Sequence, residues 1–191
     1  IYTLSLHDAL PIYSAGDEET DEEGFFLMDA IQAMCTRRSI RKYTADPVKE
    51  EDLRKILDCG RLAPTGVNRQ AWRFIVVTDA AVKAAVAEAT DYGKFIASAP
   101  VVIAVAIGPD AACPNEDSAA AACNMLNAAH ALGYGGCWIG SNGNATAERV
   151  GKVLRLPAGW KIYALFSVGV PAEEAHRDKK RLEEVVSYNG F

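Results

Sequence analysis

The sequence predicts a single α+β domain, in which helices and strands are mixed along the chain. They do not alternate regularly as strand–helix–strand units, which disfavours a doubly wound parallel sheet. Of the 191 residues, 50% are hydrophobic, enough for one sizeable core, and no repeat or internal boundary divides them. We therefore assign residues 25–191 to one domain.

Residues 1–24 do not fit this domain. Residues 13–24 contain six carboxylates and few apolar side chains, a composition typical of disorder. Residues 3–12 resemble a translated sequencing-adapter read, and they lack the basic start and the cleavage site of a signal peptide. We expect residues 1–24 to be a disordered, non-native extension and the native protein to begin near Phe25 or Met28.

The first half of the domain contains two predicted helices and a predicted strand. A short helix covers Asp29–Arg38, and Pro47 opens a second helix with acidic residues in its first turn. Four residues at helical spacing give the second helix an apolar face: Leu53, Ile56, Leu57 and Leu62. Pro64-Thr65-Gly66 breaks the chain, and the aromatic and β-branched residues that follow predict a strand over Trp72–Thr78.

The second half of the domain contains a long helix over Glu116–Leu132, which Gly133 ends. This segment is rich in alanine, and small side chains let neighbouring backbones approach closely, so we expect a central, packed helix. The other predicted elements are a helix over Ala80–Ala89, a strand over Pro100–Ile107, a short strand or extended loop over Cys137–Ile139, a helix over Ala145–Leu154 and a strand over Trp160–Val170.

Composition narrows the class of protein. The net charge of −5 and the sequence pI near 5.3 argue against a nucleic-acid-binding protein, which needs a basic face. No apolar run reaches the roughly 18 residues that cross a membrane. The five cysteines are widely spaced and the three histidines are not at ligand spacing, so we expect neither a disulfide framework nor a metal site. A reducing cytoplasm is the expected location.

Several common catalytic motifs do not occur in the sequence. It has no Gly-x-Gly-x-x-Gly after a strand, no Gly-x-x-x-x-Gly-Lys and no Gly-x-Ser-x-Gly, so a Rossmann site, a P-loop and a serine hydrolase are unsupported. Cys137 could be a nucleophile, but no histidine is predicted beside it. An inert buried cysteine is therefore favoured at this position.

Three segments carry residues that could form a binding site. The first, Arg37-Arg38-Ser39-Ile40-Arg41, places three guanidiniums in an acidic chain, and arginine binds phosphates and carboxylates through paired donors. The alternative is a solvated charge run at a helix end, which the helix dipole favours.

The other two segments are a polar turn and a glycine-rich stretch. In the turn from Ala63 to Trp72, Asn68 and Gln70 offer donors and acceptors that suit the edge of a heterocycle, although a simple polar turn is the alternative. In residues 133–140, glycines permit the backbone to approach a flat ligand. The alternative there is a helix C-cap that leads into a strand.

Taken together and in this order, the three segments resemble the motifs of the nitroreductase family of FMN-dependent oxidoreductases. That family shows Arg-x-Ser-x-Arg/Lys after its first helix, an Ala-Pro-Ser-x-x-Asn-x-Gln-Pro-Trp turn, and a small-residue helix that leads into a Trp-Ile-Gly-type segment. Gly169-Val170-Pro171 and Lys179-Lys180-Arg181 match its closing motifs, so the resemblance covers about residues 28–188. The sequence departs from the pattern at Thr65, where the family has serine, and at Ala71, where it has proline.

The resemblance implies a central, mostly antiparallel sheet flanked by helices, which is the nitroreductase-like FMN-binding fold. It also implies an interlocked homodimer with FMN in clefts at the interface. The residues that match the family's cofactor-binding positions are Arg37, Arg38, Ser39, Arg41, Pro64, Thr65, Asn68, Gln70, Ile139, Gly140, Lys179 and Arg181.

The same resemblance implies roles for these residues. Those expected at the flavin phosphate and ribityl end are Arg37, Ser39, Lys179 and Arg181. Arg41 is expected at the pyrimidine side of the ring, where it would stabilise negative charge on the reduced flavin. Those expected near the ring are Asn68 and Gln70 at its edge, and the backbone of Ile139 and Gly140 near N5 and O4. Thr65 and Gly66 are expected to come from the partner subunit or to line the ring, and Arg38 has no firm role.

The activity implied is flavin-dependent oxidoreduction by a ping-pong route. NADH or NADPH reduces FMN and leaves, and a nitroaromatic, quinone or related acceptor then enters the same cleft. No acid–base residue of the protein is required, and Arg41 contributes electrostatically. The alternatives are a reductive dehalogenase-type member of the family and a non-enzymatic module that binds or stores flavin.

Overall fold

The computed structural model describes residues 28–141 and 143–191. The expected extension over residues 1–24, and the expected start of the domain at residue 25, therefore lie outside the described residues. Within the described part, no helix is both long and apolar enough to cross a membrane.

A four-stranded sheet forms the centre of the described domain. Its strands are β1 (Trp72–Val77), β2 (Val101–Ile107), β3 (Gly135–Ile139) and β4 (Lys161–Gly169). They lie in the order β1-β2-β4-β3, and each neighbouring pair is antiparallel. The α+β class and the antiparallel sheet expected from the sequence are both confirmed.

Helices cover both faces of the sheet. The described α-helices are α1 (Ala30–Thr36), α2 (Glu50–Arg61), α3 (Ala80–Glu88), α4 (Pro114–Ala131) and α5 (Ala145–Val153). One face packs against α2 and α4, and the opposite face packs against α3 and α5. Short α1 lies against α4, which places the chain that follows it beside the sheet.

Strand β2 is buried on both faces, which explains its continuous apolar sequence. Its odd-numbered residues join the core under α2 and α4, whereas Val102, Ala104 and Ala106 join the core under α3 and α5. Helix α4 lies close to the sheet because Ala121, Ala122 and Ala129 are fully buried. The central, packed position expected for this alanine-rich helix is confirmed.

Several details differ from the sequence-based expectations, and two of them concern the ends of the first two helices. Leu62 is 65% exposed rather than part of the apolar face, because α2 ends at Arg61 and helical spacing does not extend beyond the cap. Helix α1 ends at Thr36, two residues before the expected end at Arg38. The backbone becomes extended there because the following residues pair with β3.

Candidate functional site

The Arg37–Arg41 segment lies extended along the outer edge of β3. Ser39 pairs in parallel with Gly136, and the Ile40 amide donates to the Gly136 carbonyl at 3.0 Å. Because successive side chains of an extended segment point to opposite sides, the two outer arginines share one side with Ser39. Arg37 and Arg41 therefore lie on one side of the segment, and Arg38 lies on the other.

Glycines in β3 make room for this segment. Ile40 is buried, and a Cβ on Gly135 would lie only 2.7 Å from the Cβ of Ile40. A Cβ on Gly136 would lie 2.6 Å from Cδ2 of Leu126 in α4. Close packing therefore explains these two glycines, and approach to a ligand is not needed to account for them. A Cβ on Gly140, by contrast, would meet no atom of the described residues within 4 Å.

Arg38 is directed away from the other two arginines. Its guanidinium donates to the Cys35 carbonyl at 2.9 Å and to the Arg37 carbonyl at 3.0 Å. It lines a cleft of about 590 Å³ between α1, the end of α4 and residues 171–178. This placement agrees with the absence of a firm cofactor role for Arg38.

The thiol of Cys137 in β3 is influenced by the charges of both outer arginines. Burial raises the pKa of its thiol, whereas Arg41, the Ser39 hydroxyl that hydrogen-bonds the thiol, and Arg37 all lower it. The charges of both outer arginines and the Ser39 side chain therefore influence the same thiol. Ile139 and Gly140 follow two and three residues later, so the structure places five of the expected cofactor-binding residues around this stretch of β3.

Tyr43 joins the Arg37–Arg41 segment to Ser167 of β4. Its hydroxyl donates to the Ile40 carbonyl and lies 2.6 Å from Oγ of Ser167, which therefore acts as the donor to Tyr43. Burial raises the pKa of the Tyr43 phenol, so this hydroxyl keeps its proton. The main chain of Ile40 is held on one side by β3 and on the other by Tyr43.

The second expected cluster, Pro64–Gln70, forms a tight turn with an unusual backbone. Val67, Asn68 and Gln70 have φ values of 46°, 56° and 51°, a left-handed conformation that costs energy for residues other than glycine. Gln70 Nε2 also donates to the Asn68 side-chain oxygen at 3.0 Å. Backbone outliers of this kind concentrate at functional sites.

Asp117, in the first turn of α4, holds this turn in place. The Thr65 hydroxyl donates to Asp117 Oδ2 at 3.0 Å, and the Gly66 amide donates to Oδ1 at 2.7 Å. The carboxylate is 2% exposed, and the Thr65 hydroxyl also accepts from the Gln70 amide. Asp117 was not among the predicted site residues, because its only signal in the sequence is its position in the first turn of an alanine-rich helix.

The structure does not bring the turn and the arginine segment together within one chain. Thr65 contacts Asp117 at the start of α4, whereas Thr36, next to Arg37, lies 2.9 Å from His130 near the end of α4. At 1.5 Å per residue, these two points of α4 are roughly 20 Å apart. The turn also precedes β1, at the sheet edge opposite β3.

The C-terminal segment is joined to the arginine segment by Glu173, which was not among the predicted site residues. Glu173 accepts hydrogen bonds from the amides of Arg41 at 2.6 Å and Lys42 at 3.1 Å. Arg181 forms an exposed ion pair with Glu184 at 3.3 Å. Within residues 28–141 and 143–191, no hydrogen bond or ion pair joins Lys179 or Arg181 to the arginine segment.

The donors along the β3 edge suit FMN. Two guanidiniums and a hydroxyl on one side of an extended segment can bind a phosphate and an electron-rich ring, because each supplies donors to anionic oxygen. No side chain of residues 28–141 and 143–191 crowds Gly140, and the lack of a side chain there would let a flat group approach the backbone. The residues present therefore fit this cofactor.

Comparison with known proteins agrees with this geometry. The Nitroreductase family model matches residues 35–91 and 87–170. A candidate NADH dehydrogenase/NAD(P)H nitroreductase from Archaeoglobus fulgidus is 32% identical over 154 residues, which cover 78% of this chain and 88% of that protein.

Two solved structures extend the comparison to the fold. The FMN-dependent nitroreductase from Clostridium difficile has a TM-score of 0.79 and 30% identity, covering 84% of this chain and 99% of that chain. A candidate nitroreductase from Desulfovibrio desulfuricans, solved in complex with FMN, has a TM-score of 0.74 and 32% identity, covering 85% and 97% of the two chains. With the family model matched over more than half of its length, this chain belongs to the nitroreductase family.

Proposed function

We propose that this protein is an FMN-dependent NAD(P)H oxidoreductase that passes electrons to nitroaromatics, quinones or related acceptors. The observation that carries the proposal is the alignment of Arg37, Ser39 and Arg41 on one side of the extended segment beside β3. Family membership and the FMN-dependent relatives support the cofactor and the use of a nicotinamide donor.

Arg37 and Ser39 would hold the phosphate of FMN. A phosphate carries up to two negative charges, and arginine binds it with paired donors that fix its orientation. Lys179 and Arg181 would add positive charge from the C-terminal segment. Neither is bonded to the arginine segment in the described chain, and we expect bound phosphate or a second subunit to bring them to it.

Arg41 would stabilise the reduced cofactor. The flavin, when bound, supplies the hydride chemistry, and the protein contributes position and electrostatics. A guanidinium held against the pyrimidine side favours the form of the ring that carries negative charge. The backbone of Ile139 and Gly140 would orient the ring edge. In this scheme no protein side chain has to give or take a proton.

A homodimer would complete the site. The Pro64–Gln70 turn lies at the opposite end of α4 from the arginine segment, so Thr65, Asn68 and Gln70 would reach the flavin from a second copy of the chain. Exposed apolar side chains support such an interface. They include Ile31 and Met34 on α1, and Leu182, Val185 and Tyr188 in the C-terminal segment.

Steady-state kinetics with FMN-loaded protein tests this function. We expect NADH or NADPH to be consumed only when a quinone or nitroaromatic is present, with parallel double-reciprocal lines that indicate a ping-pong order. If FMN-loaded protein consumes neither nucleotide with any acceptor, the proposed oxidoreductase is wrong and a flavin-binding module is the better description.

A further inference from the structure

We propose that Glu173 is a positioning residue that holds Arg41 in place and, through its charge, lowers the reduction potential of the bound flavin. The proposal rests on the proposed function, since it concerns the same flavin site. It assigns Glu173 two effects on the flavin that oppose one another, so they can be separated by substitution.

The geometry supports the positioning role. One oxygen of Glu173, Oε1, accepts from the consecutive amides of Arg41 and Lys42 at 2.6 and 3.1 Å. The Ala172 amide donates to the Lys42 carbonyl at 2.9 Å, and the Thr44 amide donates to the Val170 carbonyl at 3.0 Å. The Glu173 carboxylate thus adds to the backbone hydrogen bonds between residues 42–44 and residues 170–172. Together these bonds fix the main chain that carries the Arg41 guanidinium.

The charge of Glu173 also interacts with the charge of Arg41. The backbone amide of Arg41 is the largest influence that lowers the pKa of this carboxyl, and Lys42 and the Arg41 charge lower it further. Glu173 is therefore ionised at neutral pH. Its charge also raises the pKa values of the Cys137 thiol and the Tyr43 phenol, so it is felt along the β3 edge.

A negative charge at this position opposes the proposed cofactor chemistry. It repels the phosphate, and it opposes the negative charge that Arg41 stabilises on the reduced ring. The backbone hydrogen bonds of Glu173 favour flavin binding, whereas its charge disfavours the reduced flavin. A glutamine keeps an oxygen acceptor at this place without the charge, and an alanine removes both.

The two substitutions therefore have different expected results. In Glu173→Gln we expect reduced FMN to bind about three- to tenfold more tightly relative to oxidised FMN. For a two-electron couple, tenfold corresponds to a potential about 30 mV more positive. In Glu173→Ala we expect oxidised FMN to bind at least about tenfold more weakly, because Arg41 loses its backbone support.

Glu174→Gln is the matched control. The substitution removes the same unit of charge from the next residue along the chain. The Glu174 side chain, however, is 89% exposed, and its Oε2 lies 3.3 Å from Nε2 of His176. We expect no measurable change in the flavin potential or in FMN affinity for this variant. An equal shift in both glutamine variants would show a general charge effect and would overturn the proposal.

A second readout needs no flavin. In the FMN-free protein, the amide protons of Arg41 and Lys42 should titrate in NMR spectra with the Glu173 carboxyl, below the usual range for glutamate. This titration should disappear in Glu173→Gln, and amide exchange at both positions should accelerate in Glu173→Ala. Amides that do not respond to pH or to either substitution would overturn the positioning role.

The outcomes separate this inference from the function on which it rests. A wild-type protein that binds no FMN contradicts the proposed function, and this inference with it. A wild-type protein that binds FMN, with an unchanged or more negative potential in Glu173→Gln, contradicts only the role assigned to Glu173.

Discussion

For the individual residues of the arginine cluster, the extended backbone determines the direction in which each side chain points. The extended segment places Arg37 and Arg41 on one side, and it directs Arg38 toward the carbonyls of Cys35 and Arg37. The sequence alone could not separate a binding cluster from a solvated charge run. The pairing of Ser39 with Gly136 decides which side chains can act together.

Cys137 provides a prediction about pH. Burial is the main reason that the pKa of its thiol is raised, so the neutral form is favoured in the folded protein. Its contribution to stability is complete below the thiol pKa of the unfolded chain, and it is lost as the pH rises through the folded value. At mildly alkaline pH we expect iodoacetamide to label the exposed Cys35 and Cys123 much faster than Cys137 in FMN-free protein.

Peptide mass spectrometry after timed labelling measures these rates. Labelling in denaturant is the control, because the three thiols should then react at similar rates. Labelling of Cys137 in the native protein as fast as that of Cys35 would contradict the buried, neutral thiol.

At the element scale, the Pro64–Gln70 turn depends on one end of α4. This turn contains the left-handed residues, and it is held at Thr65 by a carboxylate that is distant in sequence, since Thr65 and Asp117 are 52 positions apart. Turn chemistry in the local sequence therefore explains the break in the chain but not its unusual shape.

We predict that Thr65→Val destabilises the protein. The substitution keeps the shape of the side chain but removes a donor to the buried Asp117 and an acceptor for the Gln70 amide. A buried polar group that loses its partner costs about 1–3 kcal/mol, so we expect a decrease of that size in the free energy of unfolding in urea. Ser98→Ala, which removes an exposed hydroxyl bonded to the Phe95 carbonyl, is the control and should change this energy little. An equal change in the free energy of unfolding in the two variants would contradict the stabilising role of the Thr65 hydroxyl.

At the scale of the whole molecule, much of the fold could be predicted from local patterns. Each predicted helix and strand occurs in order, because apolar periodicity and chain breaks are local signals. Strand β3 begins at Gly135, two residues before the predicted start at Cys137. The predicted start was wrong because Gly135 and Gly136 resemble the glycines that end a helix. Glu173 was missed because it acts on backbone amides 131 and 132 positions away, a contact that no local pattern encodes.

The proposed dimer gives a prediction at the same scale. Leu182, Val185 and Tyr188 are 68%, 62% and 87% exposed, and a cluster of exposed apolar side chains favours an interface with another chain. We expect the full chain to sediment as a dimer, and a chain that ends at Arg181 to sediment as a monomer with weaker FMN binding. Circular dichroism verifies that the shortened chain is folded. A full chain that remains monomeric at micromolar concentration with FMN bound would contradict the shared site.

The central claim is that the Arg37–Arg41 segment holds the flavin. Titration of the protein with FMN, followed by the change in flavin absorbance, tests it most directly. We expect stoichiometric FMN binding by the wild-type chain and almost none by Arg37→Ala/Arg41→Ala. Arg54→Ala, which removes an exposed arginine paired with Glu50, should bind FMN like the wild type. Stoichiometric FMN retained by the double variant would contradict the account.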